Sequence, residues 1–383
     1  MRVDFAIVGG GIIGCSVAYH LSKLTDESIV VFEKDFLAAG STGLAAGVIS
    51  QQLWNERDVR IVFESLREFR EISRISKDVS FHQVGLLRLV STQKERRELE
   101  KRITMQSKIG IEVIFLEPEE VLKSYPEIDV ENLSGASFCK TDGYADPYEF
   151  TNFYAREAKK KNVRFFTRCE ILGLHVGKER VESLILKNKE VQVKKVLLAS
   201  NVWTKSLLEN SKIRIPAKPY RTQVMAIKSS LKSLPMIHDI SLDFYLKPHG
   251  FDIFLVGDGT ETQESDVGNY KEHLDEDFVE KISEKLISRI PNMRDSKFMR
   301  GWAGLCMATP DRHPLLGEHP EVERLYLALG FNGFGFMRAP AISRIVASLL
   351  LGEKPEIEVK DFLAKRFEKK EFRDFEIKQG FVL

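Results

Sequence analysis

A glycine-rich turn stands near the start of the chain, between an apolar run at residues 3–8 and a stretch with helical spacing at residues 12–24. The turn has the pattern Gly9-x-Gly11-x-x-Gly14. In such a turn the first glycine permits a tight bend, the second lets the backbone approach a pyrophosphate, and the third lets helix and strand pack closely. The free N–H groups that begin the helix then face the phosphates. The pattern predicts a dinucleotide-binding site.

A carboxylate in the expected place supports this interpretation over a purely structural turn. Glu33 ends the next apolar run, about 20 residues after the glycines, where a carboxylate accepts hydrogen bonds from a ribose diol. An acidic side chain there disfavours the 2′-phosphate of NADP. On this motif alone, NAD and FAD both remain open.

Composition narrows the class of protein around this site. The chain has 383 residues, of which 43% are hydrophobic, and such a length predicts two domains. Its 57 basic and 56 acidic residues nearly cancel, which argues against nucleic acid or an anionic membrane as partner and favours a small molecule. The four cysteines show neither metal nor disulfide spacing, so we expect no metal site and a cytoplasmic location.

Two further absences support the same location. The sequence contains no apolar run of about 18 residues, so no membrane span is expected. Asp4 and three successive glycines interrupt the apolar N-terminus, and we therefore expect no secretory signal peptide.

The elements around the motif alternate between strands and helices. Helices are predicted at residues 57–77 and 92–109, and residues 244–257 are typical of a β-hairpin. Near the C-terminus, a strand at residues 325–328 precedes a second glycine loop and a helix predicted to begin at Pro340. Small residues in the loop at residues 38–52 would admit a planar ring. The second helix start would stabilise the anionic end of a reduced flavin, so these features favour FAD.

Five ordered blocks carry a resemblance that covers essentially the whole chain. The blocks are "VGGGIIG", "GSTGLAAG", "DGYADPYEF", "WAGL" with "TPDRHPLLG", and "GFNGFGFMRAP". Together they resemble the FAD-dependent amine oxidoreductases of the D-amino-acid-oxidase superfamily, in the branch with sarcosine oxidase, the sarcosine oxidase β subunit, glycine oxidase, dimethylglycine dehydrogenase and the archaeal proline dehydrogenase β subunit. The resemblance implies oxidation of the Cα–N bond of a small secondary or primary amino acid, such as sarcosine, proline or glycine, by hydride transfer to flavin N5.

The resemblance also implies the domain organisation. We expect an α/β fold in which a Rossmann-like FAD-binding domain is joined to a β-rich substrate domain. Both domains are assembled from separate segments: residues 1–83, 145–215 and 300–383 for the FAD-binding domain, and residues 84–144 and 216–299 for the substrate domain.

The cofactor contacts follow from the same resemblance. It implies that the loop after the second strand and the loop before the last helix line the flavin, and that backbone near residues 170–171 holds the adenine. The expected FAD contacts are Gly9, Gly11, Ile12, Ile13, Gly14, Glu33, Lys34, Ser41, Thr42, Ala45, Ala46, Gly47, Glu170, Ile171, Ala199, Ser200, Trp203, Gly304, Gly330, Asn332, Gly333, Phe334, Gly335, Phe336 and Met337.

Two departures from the family concern the attachment of the flavin. Members with a histidyl flavin carry the histidine where this chain has Leu44. Members with a cysteinyl flavin place the cysteine slightly earlier than Cys306, so a packed or site-lining thiol is favoured over an attachment point. We therefore predict non-covalent FAD.

Two further departures concern the carboxylate of the substrate. Glycine oxidase has an arginine where this chain has Cys306, and monomeric sarcosine oxidases have a lysine where it has Met337. The candidates that would compensate are Arg338, Tyr245, Lys247 and His249, and our predicted catalytic residues are Arg338, Tyr245 and Lys247. Each has a structural alternative, because Arg338 would also suit a loop cap and Tyr245 an ordinary strand aromatic.

Three other functions remain open at this stage. One alternative is a dehydrogenase subunit that passes electrons to a partner chain rather than to O2. Another is an oxidase of a 2-hydroxy acid or related alcohol. The third alternative is a flavin-binding subunit with little activity alone.

Overall fold

The computed structural model describes residues 2–209, 211, 213–232, 234–259, 262–264 and 266–367. Residues 368–383 of the last predicted segment, residues 300–383, lie outside the described residues. The predicted segments 1–83, 145–215 and 216–299 also include single positions that lie outside them.

Strands make up most of the ordered elements. In chain order they are β1 (Arg2–Val8), β2 (Ile29–Phe32), β3 (Val48–Ile49), β4 (Phe81–Gln83), β5 (Leu86–Val90), β6 (Val113–Leu116), β7 (Gly135–Cys139), β8 (Gly143–Ala145), β9 (Arg164–Phe166), β10 (Gly173–Gly177), β11 (Arg180–Ile185), β12 (Glu190–Leu198), β13 (Lys218–Lys228), β14 (Met236–Asp239), β15 (Phe244–Pro248), β16 (Ile253–Gly257), β17 (Thr262–Gln263), β18 (Lys297–Ala308), β19 (Leu315–His319) and β20 (Val322–Leu329).

Helices connect and cover these strands. They are α1 (Ile12–Leu21), α2 (Glu56–Ile75), α3 (Gln93–Ile109), α4 (Pro118–Ser124), α5 (Pro147–Lys159), α6 (Thr204–Glu209), α7 (Glu276–Arg289) and α8 (Gly335–Leu351). Within the described part of the chain, no helix has both the length and the hydropathy that a membrane span requires.

The first sheet has β1 near its centre, in the order β10-β11-β20-β12-β1-β2-β9, with β19 paired to β20. β1 pairs in parallel with both β2 and β12. Alternate residues of β1 enter two different core clusters, Phe5 and Ile7 in one and Ala6 and Val8 in the other. Both faces of the strand are therefore covered, as is typical of a parallel sheet in an α/β protein. The predicted α/β fold is confirmed.

The second sheet is mostly antiparallel, in the order β17-β13-β16-β15-β14-β5-β7-β6, with β18 paired to β13. The predicted hairpin at residues 244–257 forms, because β15 and β16 pair antiparallel. β18 pairs with β13 along its length, so residues 300–308 belong to this sheet although the prediction gave them to the FAD-binding domain. The other domain bounds stay a prediction.

One transverse row of the second sheet positions side chains for the site. Arg88 of β5 is in register with His238 of β14, His238 with Tyr245 of β15, and Tyr245 with Gly257 of β16. Residues directly opposite one another on paired strands point to the same face of a sheet. The row therefore presents Arg88, His238 and Tyr245 to one side, with the glycine leaving room beside the tyrosine.

The last helix begins earlier than predicted. α8 starts at Gly335, and Pro340 lies inside it. Proline lacks an N–H and favours the first turn of a helix, which is why the sequence indicated a start at Pro340. Most of α8 is buried, including Ala339, Ala341 and Ile342, and this packing offsets the lost backbone hydrogen bond. The prediction was wrong by five residues, and the first turn of α8 includes Phe336 and Met337.

Candidate active site

A cavity of about 310 Å³ lies between the glycine turn, the loop at residues 38–52, the loop before α8 and the second sheet. The lining brings together residues from distant parts of the chain. The predicted FAD contacts that line it are Gly11, Ile12, Ile13, Ser41, Thr42, Ala45, Ala46, Gly47, Ala199, Gly304, Asn332, Gly333, Phe334, Gly335, Phe336 and Met337. The predicted FAD contacts that do not line it are Gly9, Gly14, Glu33, Lys34, Glu170, Ile171, Ser200, Trp203 and Gly330.

The glycine turn has no room for side chains. Gly9 has a φ of +114°, and a Cβ there would lie 2.6 Å from the carbonyl oxygen of Ala199. A Cβ on Gly14 would lie 1.9 Å from the carbonyl oxygen of Gly9. Gly11 is the N-cap residue of α1 and has no side chain to cap the helix, and the Ile12 N–H donates a hydrogen bond to the Thr42 hydroxyl at 3.1 Å. Gly11 and the first residues of α1 line the cavity, so the turn and the helix N-terminus fit the pyrophosphate of a dinucleotide.

Glu33 stands against this turn although it does not line the cavity. Its Oε2 accepts a hydrogen bond from the Gly10 N–H at 2.7 Å, and its Oε1 accepts one from the Asp35 N–H at 2.9 Å. The Cys169 N–H donates to the Glu33 carbonyl at 2.8 Å. This contact places the predicted adenine-binding backbone at residues 170–171 beside the predicted ribose ligand, so the two predictions describe one region.

The other predicted contacts outside the cavity pack behind it. Lys34 Nζ lies 4.3 Å from the centroid of the Trp203 ring. A Cβ on Gly40 would lie 2.7 Å from the same ring. The Ser200 and Thr204 hydroxyls are 2.8 Å apart. These residues support the small-residue loop and the turn after β12.

The loop before α8 is held by one amide side chain. Asn332 has a left-handed backbone with a φ of 52°. Its Nδ2 donates to the Gly330 carbonyl at 2.6 Å, and its Oδ1 accepts from the Thr309 N–H at 3.2 Å. The Asn332 N–H donates to the Met307 carbonyl at 3.1 Å. The amide thus fixes residues 333–337 at the cavity wall.

Tyr245 is the predicted catalytic residue that the structure brings to the cavity. Its ring lies over Gly257, where a Cβ would be 2.5 Å from the phenol oxygen. Burial, with Asp258 and Cys306 nearby, raises the pKa of the Tyr245 phenol well above its usual value. The phenol therefore keeps its proton and can donate a hydrogen bond.

Lys247 lies on the same face but stands behind the cavity wall. Its side chain is 2% exposed, and its Nζ donates to the carbonyl of Ala46 at 2.8 Å and lies 3.3 Å from His249 Nδ1. Burial lowers the pKa of Lys247 to about 8. The side chain thus contacts the backbone of Ala46, which itself lines the cavity.

Arg338 is not brought to the cavity. Its Nη2 lies 2.9 Å from Asp58 Oδ1, and both side chains are fully buried. The guanidinium carbon lies 5.3 Å from the centroid of the Phe334 ring. The prediction that Arg338 binds the substrate is thus corrected, because its helical position directs it toward α2, and the loop-cap alternative fails because it lies within α8.

The two positions relevant to flavin attachment, Leu44 and Cys306, both line the cavity. Cys306 forms no disulfide bond with another cysteine of the described residues. In the described residues, no group of three or more His, Cys, Asp or Glu side chains is placed to hold a metal ion. Non-covalent attachment stays a prediction.

Several charged or titratable lining residues were missed by the sequence reasoning. They are Arg88, Arg102, Tyr220, His238, Asp258 and Arg312. Arg88 is 5% exposed and lies in β5, whose five residues are all buried. A basic residue inside such an apolar strand is rare unless it is paired, and this was the available signal. Burial and the charge of Arg102 lower the pKa of Arg88 to about 10.

These features define a class of protein. A Rossmann-like turn, a carboxylate beside it and a cavity that continues from the turn to a second sheet are typical of dinucleotide-dependent oxidoreductases. Residues 4–349 match the family DAO, described as FAD dependent oxidoreductase, and the chain belongs to this family. The expected resemblance is confirmed, and FAD is the cofactor.

Individual relatives extend over nearly the whole chain. It is 29% identical to the Bos taurus "FAD-dependent oxidoreductase domain-containing protein 1", over 96% of this chain and 85% of that protein. It is 27% identical to the glycine oxidase of Bacillus licheniformis, over 96% of this chain and 98% of that one. The crystal structure of the L-proline dehydrogenase of P. horikoshii superimposes with a TM-score of 0.90 at 29% identity, over 97% and 99% of the two chains.

Proposed function

We propose that this protein oxidises the Cα–N bond of a small amino acid. One observation supports the proposal most directly: a single cavity joins the flavin loops to Tyr245, His238 and Arg88 on the second sheet. Similar proteins include one named glycine oxidase and one named L-proline dehydrogenase. The largely apolar lining with a few polar side chains is typical of a small-molecule site.

The side chains of the chain bind and orient the substrate in this proposal. FAD, when bound, supplies the two-electron acceptor. Tyr245 donates a hydrogen bond from its protonated phenol. Burial and the nearby charges of Arg88 and Arg102 hold the pKa of His238 well below its usual value, so its imidazole is neutral. Apolar walls such as Leu53 and Met236 exclude water, which strengthens the polar contacts to the substrate.

Product analysis with an artificial electron acceptor tests the proposal. The holoprotein would be incubated with sarcosine, glycine, L-proline, D-proline and, as a comparison outside the amines, L-2-hydroxyglutarate. Mass spectrometry should find the imine, or its hydrolysis products, a carbonyl compound and an amine, from one amino acid. Conversion of the hydroxy acid with no amino acid converted would reject amine oxidation in favour of alcohol oxidation.

Tyr245→Phe refines this test. The variant keeps the ring over Gly257 and removes only the hydroxyl. We expect a fall in kcat/KM of about tenfold, the usual cost of one hydrogen bond to a charged group, with FAD content unchanged. An unchanged kcat/KM would show that the phenol does not touch the substrate.

The final electron acceptor is assigned by a comparison of reoxidation rates. We propose that O2 or a partner electron-transfer chain accepts the electrons. Fast reoxidation of the reduced protein in air indicates an oxidase, whereas slow reoxidation in air with fast reoxidation by an artificial acceptor indicates a dehydrogenase.

A further inference from the structure

Two positively charged side chains line the cavity without a paired acid. Arg88 lies in β5 of the second sheet, and Arg102 lies in α3. Neither guanidinium forms an ion pair with a carboxylate of the described residues. The Nε of Arg88 is buried and has no hydrogen-bond partner there. A buried charge without a partner is costly, so an anion bound in the cavity would stabilise these side chains.

The acids that act electrostatically on these arginines form hydrogen bonds or ion pairs with other groups. Asp142 acts on Arg88 electrostatically, but its carboxylate accepts hydrogen bonds from the Ser50 hydroxyl at 2.8 Å and the Gln51 N–H at 2.9 Å. Glu98, the acid that acts on Arg102, forms its ion pair with Lys101 at 2.7 Å. These two acids therefore do not neutralise the positive charge of the guanidiniums at the cavity, and a bound anion would do so.

The position of Arg88 within its row fits a substrate the size of an amino acid. Arg88 and Tyr245 are two strands apart, with His238 between them, which is about 10 Å between backbones at the usual strand spacing. The neutral His238 adds no charge that would repel or replace an anion. A small molecule lying over His238 would reach both the guanidinium and the phenol.

We propose that Arg88 and Arg102 form the subsite that binds the substrate carboxylate, Arg88 by direct contact and Arg102 as a second positive charge. The guanidinium fork matches the two oxygens of a carboxylate. The identification of the bound anion as the substrate rests on the proposed function. The existence of an anion-binding subsite does not depend on turnover. It fills the place left by Arg338, which is paired with Asp58.

Equilibrium binding to the oxidised holoprotein tests the proposal without catalysis. Pyrrole-2-carboxylate serves as an unreactive acid, and pyrrole-2-carboxamide as its uncharged match. Binding would be followed by isothermal titration calorimetry and by the shift of the flavin absorbance. We expect the acid to bind at least tenfold more tightly than the amide, and this preference to weaken as salt concentration rises.

Variants then locate the charge. Arg88→Gln should weaken binding of the acid about 10- to 100-fold, the range of one charge-assisted hydrogen-bonded contact, and leave the amide unchanged. Arg102→Gln should weaken binding of the acid a few-fold. Arg97→Gln removes an equal charge from the exposed side of the same helix and should have no effect.

Each outcome decides between the two proposals. Equal affinity of acid and amide in the wild-type protein overturns the subsite, as does wild-type affinity for the acid in Arg88→Gln. Should Arg88→Gln lack FAD or native far-UV circular dichroism, the acid-to-amide ratios of Arg102→Gln and Arg97→Gln decide instead. Loss of acid binding in Arg88→Gln with no amino acid oxidised by the wild type would retain the subsite and reject the proposed function. Normal amino acid oxidation by Arg88→Gln would support the proposed function and reject the subsite.

Discussion

Removing one partner of the buried pair between Arg338 and Asp58 should strongly destabilise the protein. Both side chains are fully buried and their charged atoms are 2.9 Å apart. Breaking such a pair costs about 3–5 kcal/mol, because the remaining charge is buried without compensation. This is a large share of a total stability of about 5–15 kcal/mol.

The two halves of the pair should differ in cost. Without Arg338, Asp58 still lies in the first turn of α2, where the helix N-terminus favours a negative charge. Without a charged Asp58, the favourable contact left to the Arg338 guanidinium among the described residues is the ring of Phe334. We therefore expect Asp58→Asn to cost about 5 kcal/mol and Arg338→Met about 3 kcal/mol. The double variant Asp58→Leu with Arg338→Met should recover most of the loss, since apolar replacement of a buried pair is often neutral.

Urea unfolding of the FAD-loaded protein, followed by tryptophan fluorescence and far-UV circular dichroism, measures these costs. The control is Arg60→Met, which breaks the exposed pair with Glu56 at 2.7 Å and should cost at most about 1 kcal/mol. A cost for Asp58→Asn no larger than that of the control would refute the reasoning. Because the pair stands outside the cavity, the double variant should keep wild-type affinity for pyrrole-2-carboxylate. Loss of that affinity would return Arg338 to the substrate site.

Three further predictions follow from single contacts. Gly14→Ala should weaken FAD affinity at least 100-fold in a fluorescence titration, because the new Cβ would lie 1.9 Å from the Gly9 carbonyl oxygen. The control Gly173→Ala, whose new Cβ would have no contact closer than 3.6 Å, should bind FAD normally. Lys247 has a folded-state pKa of about 8, below its ordinary value of 10.5, so the unfolded chain binds more protons between these values. The free energy of unfolding of the wild type relative to Lys247→Met should therefore rise from pH 8 to 10.5 and stay flat below pH 8, and a falling difference would contradict the shift. Acid precipitation should release all the flavin into the supernatant, whereas flavin retained in the pellet and lost in Cys306→Ala would establish a covalent bond.

The parts of the fold and site predicted from sequence are those fixed by short-range patterns. The turn with Gly9 and Gly14 permits few alternatives, since a Cβ at either position meets backbone. Glu33 could be placed because it directly follows a short buried strand, the next strand after the turn. The hairpin at residues 244–257 was predicted because alternation and a glycine turn specify it locally.

The missed parts depend on contacts between distant segments. The side chain of Arg338 could not be assigned because its partner, Asp58, lies 280 positions earlier. Lys247 was expected at the cavity, but its hydrogen bond to Ala46 joins two segments that only the folded chain brings together. Arg88 was overlooked because its cavity forms only when β5 pairs with β14. The start of α8 was misplaced because tertiary burial offset the local effect of Pro340.

Anaerobic titration of the flavin absorbance tests the central claim most directly. The purified FAD-loaded protein would be mixed without oxygen with sarcosine, glycine, L-proline and D-proline, each followed by L-2-hydroxyglutarate as a comparison. We predict that one amino acid bleaches the oxidised flavin band in full and that the hydroxy acid does not. A flavin that stays oxidised with every amino acid, while the hydroxy acid reduces it, would contradict the account.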